Sequence, residues 1–117
     1  MTFSKDYTQD APTKEQLGAM QGALVLEFGV AWCGFCRAAE PSITSALIKH
    51  PGVPHLKVED GPGRALGRSF RVKLWPTLIF LRDGQEVARL VRPNDSKSID
   101  DALAQIEPTK SEQPVTF

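Results

Sequence analysis

The chain holds two cysteines, Cys33 and Cys36, separated only by Gly34 and Phe35. Placed on the first turn of a helix, residues at i and i+3 share one side, so their sulfurs can join or part with little backbone movement. The first amides of a helix have no intrahelical acceptor, and they stabilise a negative sulfur at that end. Cys33 is therefore the expected nucleophile. It would attack a disulfide to give a mixed disulfide, which Cys36 resolves by attacking Cys33; run backwards, the same steps oxidise a dithiol. A purely structural bridge has little value across so short a loop, and one pair cannot build the framework of a small secreted domain. A zinc site would need His50 and His55 as well, but His50 falls about four turns further along the same predicted helix. No metal is expected. Gly61-Pro62-Gly63 lacks the spacing of a phosphate-binding loop.

The elements that must hold this pair follow from the apolar pattern. Leu24-Val25-Leu26-Glu27-Phe28 is a compact apolar run broken by one acid, which predicts a central strand buried on both faces. From Cys33 to Lys49, Ala39, Ile43, Ala46 and Leu47 recur at helical spacing, with Pro41 inside and expected to kink the helix. Upstream, Thr13 and Gln16 have the form of a capping box for a short helix over 13–20 that Gly22 would end. Val53 to Glu59 reads as a second strand, followed by the turn at 61–63 and a short helical stretch with Ala65, Leu66 and Phe70. Thr77–Leu81 and Glu86–Val91 flank Asp83-Gly84, a dipeptide favoured in hairpin turns, and must run antiparallel. Asp95 or Ser96 can cap a last helix, with Ile99, Ala102, Leu103 and Ile106 on one face and Pro108 as its stop. The fold class is α/β, a mixed sheet with helices packed on it. Residues 13–107 are read as a single domain, 1–12 as an N-terminal segment that could carry a short edge strand around Phe3 or Tyr7, and 108–117 as a solvated tail.

Bulk properties narrow the function. With 117 residues, one core is expected. Fourteen basic and fourteen acidic residues cancel, which argues against nucleic acid as a partner. The apolar run from Ala23 to Leu26 is far short of the roughly 20 residues that cross a bilayer, so no membrane span is expected. The polar start of the chain lacks the order of a secretory signal, and a cytoplasmic location is expected.

Taken together, Trp32-Cys33-Gly34-Phe35-Cys36 after an apolar strand resembles the active-site segment of the thioredoxin family. Glu27 falls where the family carries a buried acid, Pro41 resembles its helix-kinking proline, and Trp75-Pro76-Thr77 resembles the loop whose cis proline faces the cysteines. The resemblance spans about residues 22–106. It implies a thioredoxin-like fold, a central mixed sheet with helices on both faces, and a protein-disulfide reductase working through Cys33 and Cys36. It also implies that Pro76 is cis, so that neighbouring backbone groups can pair with an extended peptide beside Cys33. Trp32 would cover the cysteine pair. A carboxyl at Glu27, costly to bury as an anion, could relay the proton of Cys36. No bound cofactor is implied; reducing equivalents would come from NADPH through a flavin-dependent thioredoxin reductase, and the protein substrates would be met by a monomer.

Three residues depart from the family pattern. Phe35 stands where proline is usual, Trp75 where a smaller aliphatic is common before the cis proline, and Arg92 where a glycine usually lines the substrate groove. With Trp32, they would make the groove around Gly34, Pro76 and Thr77 more aromatic and locally positive, suited to peptides with apolar or acidic flanks. The loss of proline predicts a poise more oxidising than the roughly −270 mV of thioredoxin. A specialised oxidoreductase serving one partner is a second enzyme reading. The non-enzyme alternative is a redox-inactive interaction module that binds through the Trp32 and Trp75 face.

Overall fold

A computed structural model describes residues 6–108. Its elements in chain order are α1 (Lys14–Gly18), β1 (Ala23–Gly29), α2 (Gly34–Ile48), β2 (His55–Glu59), α3 (Ala65–Ser69), β3 (Thr77–Arg82), β4 (Gln85–Val91) and α4 (Ser96–Ile106). The strands form one sheet in the order β2-β1-β3-β4, with β1 parallel to β2 and antiparallel to β3, and β4 antiparallel to β3. The mixed sheet expected from the sequence is thus present, and β1 lies inside it.

Alternation along β1 sorts its side chains between two layers. Val25 joins Leu78 and Phe80 beneath α2 and α4, whose Ala39, Ile43, Leu47, Ile99, Leu103 and Ile106 close that face. Leu24, Leu26 and Phe28 join Ile79 and Leu81 on the other face, against Leu17 of α1 and Leu66 of α3, with Phe70 beyond. Glu27 shares the period of Val25 and so points toward the α2 side, toward the cysteines.

Local chemistry sets the boundaries. Thr13 and Gln16 make the full capping box of α1: Thr13 Oγ1 accepts the Gln16 amide at 3.0 Å, and the Thr13 amide donates to Gln16 Oε1 at 2.9 Å. That helix ends at Gly18 rather than at Gly22. Gly22, at φ 84°, is held instead by the distant hairpin turn: its amide donates to Asp83 Oδ1 at 2.8 Å, and its carbonyl accepts the Asp83 amide at 2.9 Å. In that turn Asp83 and Gly84 both adopt positive φ, 50° and 78°. A Cβ at Gly84 would lie 2.4 Å from the Gly18 carbonyl oxygen, so only glycine fits there. β2 begins at His55, two residues later than expected, because Val53 turns back to the His50 carbonyl and Pro54 has no amide to give to the ladder. Asp95 is the cap of α4, accepting the Ser98 amide at 2.9 Å.

The N-terminal segment pairs with the edge of the sheet at Thr8. Its amide donates to the Lys57 carbonyl at 2.8 Å and its carbonyl accepts the Glu59 amide at 2.9 Å, a parallel bridge to β2. Phe3, the other residue read as part of that strand, lies outside the described residues, as do 109–117 of the expected tail. At the far end of α2, His50 is clasped by Asp100 and, at 2.8 Å, by Glu107 of the α4 end. Burial opposes its charge, but the hydrogen bonds to the two carboxylates prevail and raise its pKa above the ordinary imidazole value. No helix among the described residues is long and apolar enough to cross a membrane.

Candidate active site

β1 ends at Gly29, and the chain turns through Val30, Ala31 and Trp32 into α2. Cys33 is the N-cap of that helix: extended at φ −83°, ψ 119°, its sulfur accepts the Cys36 amide at 3.2 Å. One of the helix's unpaired amides is thereby aimed at the first sulfur, an arrangement that stabilises negative charge on it. Both thiols are nearly enclosed, Cys33 at 7% exposure and Cys36 at 3%. Burial, and then the hydrogen bond to Cys33, push the Cys36 thiol up to about 11.

The apolar cover of the pair differs from the sequence expectation. Val30 packs with the two cysteines, and Tyr7 and Trp75 pack against that cluster. Trp32 stands 73% exposed, edge-on to Trp75 with ring centroids 5.8 Å apart. Trp75 is fixed by its indole Nε1–H, which donates to Asp60 Oδ2 at 2.8 Å. The Trp75-Pro76 peptide bond is cis, Pro76 is buried, and Thr77 Oγ1 donates to the Leu74 carbonyl at 2.6 Å. Gly34 is exposed beside Phe35.

Arg92 ties these parts together. Its guanidinium lies over the Phe35 ring at 3.7 Å, its Nε donates to the Trp75 carbonyl at 2.8 Å, and its amide donates to the Pro76 carbonyl at 2.8 Å. The Trp75 carbonyl, which the family resemblance offers to an incoming peptide, is therefore already engaged. A peptide that pairs with it must either share the carbonyl with the Arg92 side chain or displace it.

Beneath Cys36 lies a polar network that sequence reasoning identified only at Glu27. Glu27 is 2% exposed, and the burial of its charge is offset by two donors: the Tyr7 hydroxyl at 3.1 Å on Oε2 and His55 Nε2–H at 2.8 Å on Oε1. The Tyr7 hydroxyl also meets the Cys36 thiol in a hydrogen bond. Burial and the charge of Glu27 raise the Tyr7 pKa far beyond its ordinary value, so the group acts as a neutral hydroxyl. The Lys57 ammonium, 4.4 Å from the centre of the Tyr7 ring and 3.6 Å from Glu40, holds the ring in place. Gly29 makes the approach possible: a Cβ there would lie 2.7 Å from Cys36 Sγ and 2.8 Å from the Tyr7 oxygen. Period-2 counting places His55 beside Glu27 only once the β1–β2 register is known, and Tyr7 arrives from a segment with no strong pattern. His50 is at the opposite end of α2, so the two histidines do not converge with the cysteines. Among the described residues no group of three or more His, Cys, Asp or Glu is placed to hold a metal.

The family model for thioredoxin matches residues 5–105. The chain belongs to the thioredoxin family. It is 35% identical over 68 residues to a thioredoxin H-type 1 of Nicotiana tabacum, covering 58% of this chain and 54% of that protein. A thioredoxin H-type of Fagopyrum esculentum is 32% identical over 68 residues, covering 58% and 59%. The matched region thus spans a little over half the length of these curated relatives. The solved structure of thioredoxin 2 from Pseudomonas aeruginosa PAO1 in its reduced form superposes with a TM-score of 0.79 and 50% identity, over 87% of this chain and 94% of that one. The dithiol chemistry of thioredoxins needs no bound cofactor.

Proposed function

We propose that this chain is a thiol–disulfide oxidoreductase that reduces protein disulfides, with Cys33 as nucleophile and Cys36 as the resolving thiol. The observation that carries the reading is the asymmetry of the pair: the Cys33 sulfur accepts an amide hydrogen bond at the helix start, while burial keeps Cys36 protonated with a pKa of about 11. Cys33 as thiolate attacks one sulfur of the substrate disulfide, forming a mixed disulfide and releasing the first substrate thiolate. Cys36 then loses its proton and attacks Cys33, which releases the second thiolate. The substrate gains two electrons and the protein keeps a Cys33–Cys36 disulfide.

Tyr7 supplies the route for the Cys36 proton. The thiol proton passes to the Tyr7 oxygen as the Tyr7 proton passes to Glu27, and His55 balances the carboxylate while it is ionised. Glu27 therefore acts through Tyr7, with His55 as a positioning residue. Trp32, Gly34, Phe35, Trp75, Pro76 and Thr77 form the substrate groove, and Arg92 screens it. The oxidised protein is returned to the dithiol by a thioredoxin reductase drawing on NADPH, and a reductive role of this kind suits a monomer in the cytoplasm.

Reduction of insulin disulfides in the presence of dithiothreitol is the direct test. Turnover that disappears in Cys33→Ser supports the reading, and turnover retained in that variant removes it. Equilibration with a glutathione buffer should give a potential above the roughly −270 mV of thioredoxin, since Phe35 replaces a rigid proline between the cysteines.

A further inference from the structure

Cations that the exchange chemistry does not use gather on both flanks of this groove. Arg64, Arg68, Arg71 and Lys73 line a cavity of about 770 Å³ together with Asp60 and Trp75. Trp75 also packs on the cysteine cluster, so the basic cavity adjoins the reactive pair. Beyond Phe35, Arg92 lines a second, smaller hollow of about 150 Å³. The carboxylates nearby answer only part of this charge: Glu59 pairs with Arg64 at 2.6 Å, and Asp60 is committed to the Trp75 indole. Arg68, Arg71 and Lys73 are exposed, and none has a carboxylate partner among the described residues. In a chain whose charges cancel overall, this is a local excess.

Backbone geometry adds an independent sign. Arg71 at φ 58° and Arg92 at φ 51° occupy the left-handed region, where glycine would sit at lower cost. Folding alone gives no reason for a long cationic side chain at Arg71, because it is exposed and packs into no core. Arg71 thus holds an arginine at the expense of backbone energy beside the groove, whereas at Arg92 the contacts to Phe35 and the Trp75 carbonyl offset that cost.

We propose that the preferred substrates are disulfides set in acidic protein segments, with Asp or Glu on one side of the cystine meeting Arg68, Arg71 and Lys73 and on the other meeting Arg92. This rests on the exchange reading above. Opposite charge on both sides of the reacting sulfur draws the acidic segment to the groove and fixes its register, and an incoming carboxylate offers Arg92 a stronger acceptor than the Trp75 carbonyl. Releasing that carbonyl would free it to pair with the bound peptide. A protein segment is favoured over nucleic acid because the cations surround a site that acts on sulfur and the chain carries no net positive charge.

Two peptides with the same cystine loop, one flanked by Glu and one by Lys, test the proposal through kcat/KM at low and high salt. The wild type should favour the Glu-flanked peptide about tenfold at low salt and less than about twofold near 0.5 M salt. The triple variant Arg68→Glu, Arg71→Glu, Lys73→Glu should reverse the preference; as a ratio within one preparation, it is insensitive to any loss of folded protein. Equal turnover of the two peptides by the wild type, or an acidic preference that survives in the triple variant, would overturn the proposal. So would a single-stranded oligonucleotide that binds the wild type and not the variant while the peptides show no preference. Failure to turn over either peptide or insulin would instead strike the exchange reading itself.

Discussion

Replacing Tyr7 with phenylalanine removes one oxygen from beneath Cys36 and leaves the ring, with its contact to Lys57, in place. That oxygen is the hydrogen-bonded link from the resolving thiol to Glu27, 3.1 Å away. With the Cys36 thiol at about 11, only roughly one molecule in ten thousand carries its thiolate near pH 7 without help. The Tyr7 hydroxyl is among the groups that lower it, so its removal moves Cys36 further from the thiolate. A hydrogen bond to a charged group contributes about 1.5–3 kcal/mol, and the lower figure corresponds to a loss of about tenfold in thiolate population and in resolution rate. A chromogenic aryl disulfide separates the two steps, since its first aryl thiolate reports attack by Cys33 and its second reports resolution by Cys36. Tyr7→Phe should slow the second release about tenfold and leave the first within about twofold. Equal slowing of both, or no slowing of the second, would refute the role given to Tyr7.

The close approach at Gly29 predicts that Gly29→Ala drives Cys36 and the Tyr7 hydroxyl apart; overpacking of about 1–3 kcal/mol should lower Tm by roughly 4–15 °C, and the slow second release of Tyr7→Phe should reappear. In Arg92→Gly, relief of the left-handed backbone, about 1 kcal/mol, offsets the lost bond to the Trp75 carbonyl, so Tm should hold within a few degrees while kcat/KM for insulin rises about threefold to tenfold as that carbonyl is freed; a fall in insulin turnover would contradict the screening role. His50, with its pKa raised in the fold, stabilises the protein fully below its unfolded value of about 6.5 and loses that contribution as pH climbs through the raised value; thermal melts of wild type should therefore decline as pH rises above about 6.5, and His50→Gln should flatten the decline.

Much of this was written locally in the sequence. The cysteine spacing, the capping box of α1, the Asp95 cap of α4 and the Asp83-Gly84 turn depend on neighbours a few residues away, so their chemistry survives without knowledge of the fold. The strand starting at Val53 was misplaced by the same logic, because an apolar residue before a proline looks like strand until its amide is seen turning back to His50. Long-range pairings were out of reach. Glu27 was legible as a buried acid, but its donors come from 20 residues upstream and 28 downstream, and only the β1–β2 register, which sets His55 opposite Val25, brings its imidazole diagonally to the Glu27 carboxylate. The family resemblance offered Trp32 as the cover of the cysteines, whereas the ring that packs there is Trp75, delivered across the groove by the cis-proline loop and moored on Asp60. Arg92 was visible as a departure from glycine, yet nothing local told that its guanidinium would reach both Phe35 and the Trp75 carbonyl.

The division of labour between the two sulfurs is tested most directly by trapping the mixed disulfide with a protein substrate and locating the bond by mass spectrometry. Cys36→Ser should accumulate an adduct joined through Cys33, and Cys33→Ser should accumulate none. An adduct joined through Cys36, or equal trapping by both variants, would contradict the account.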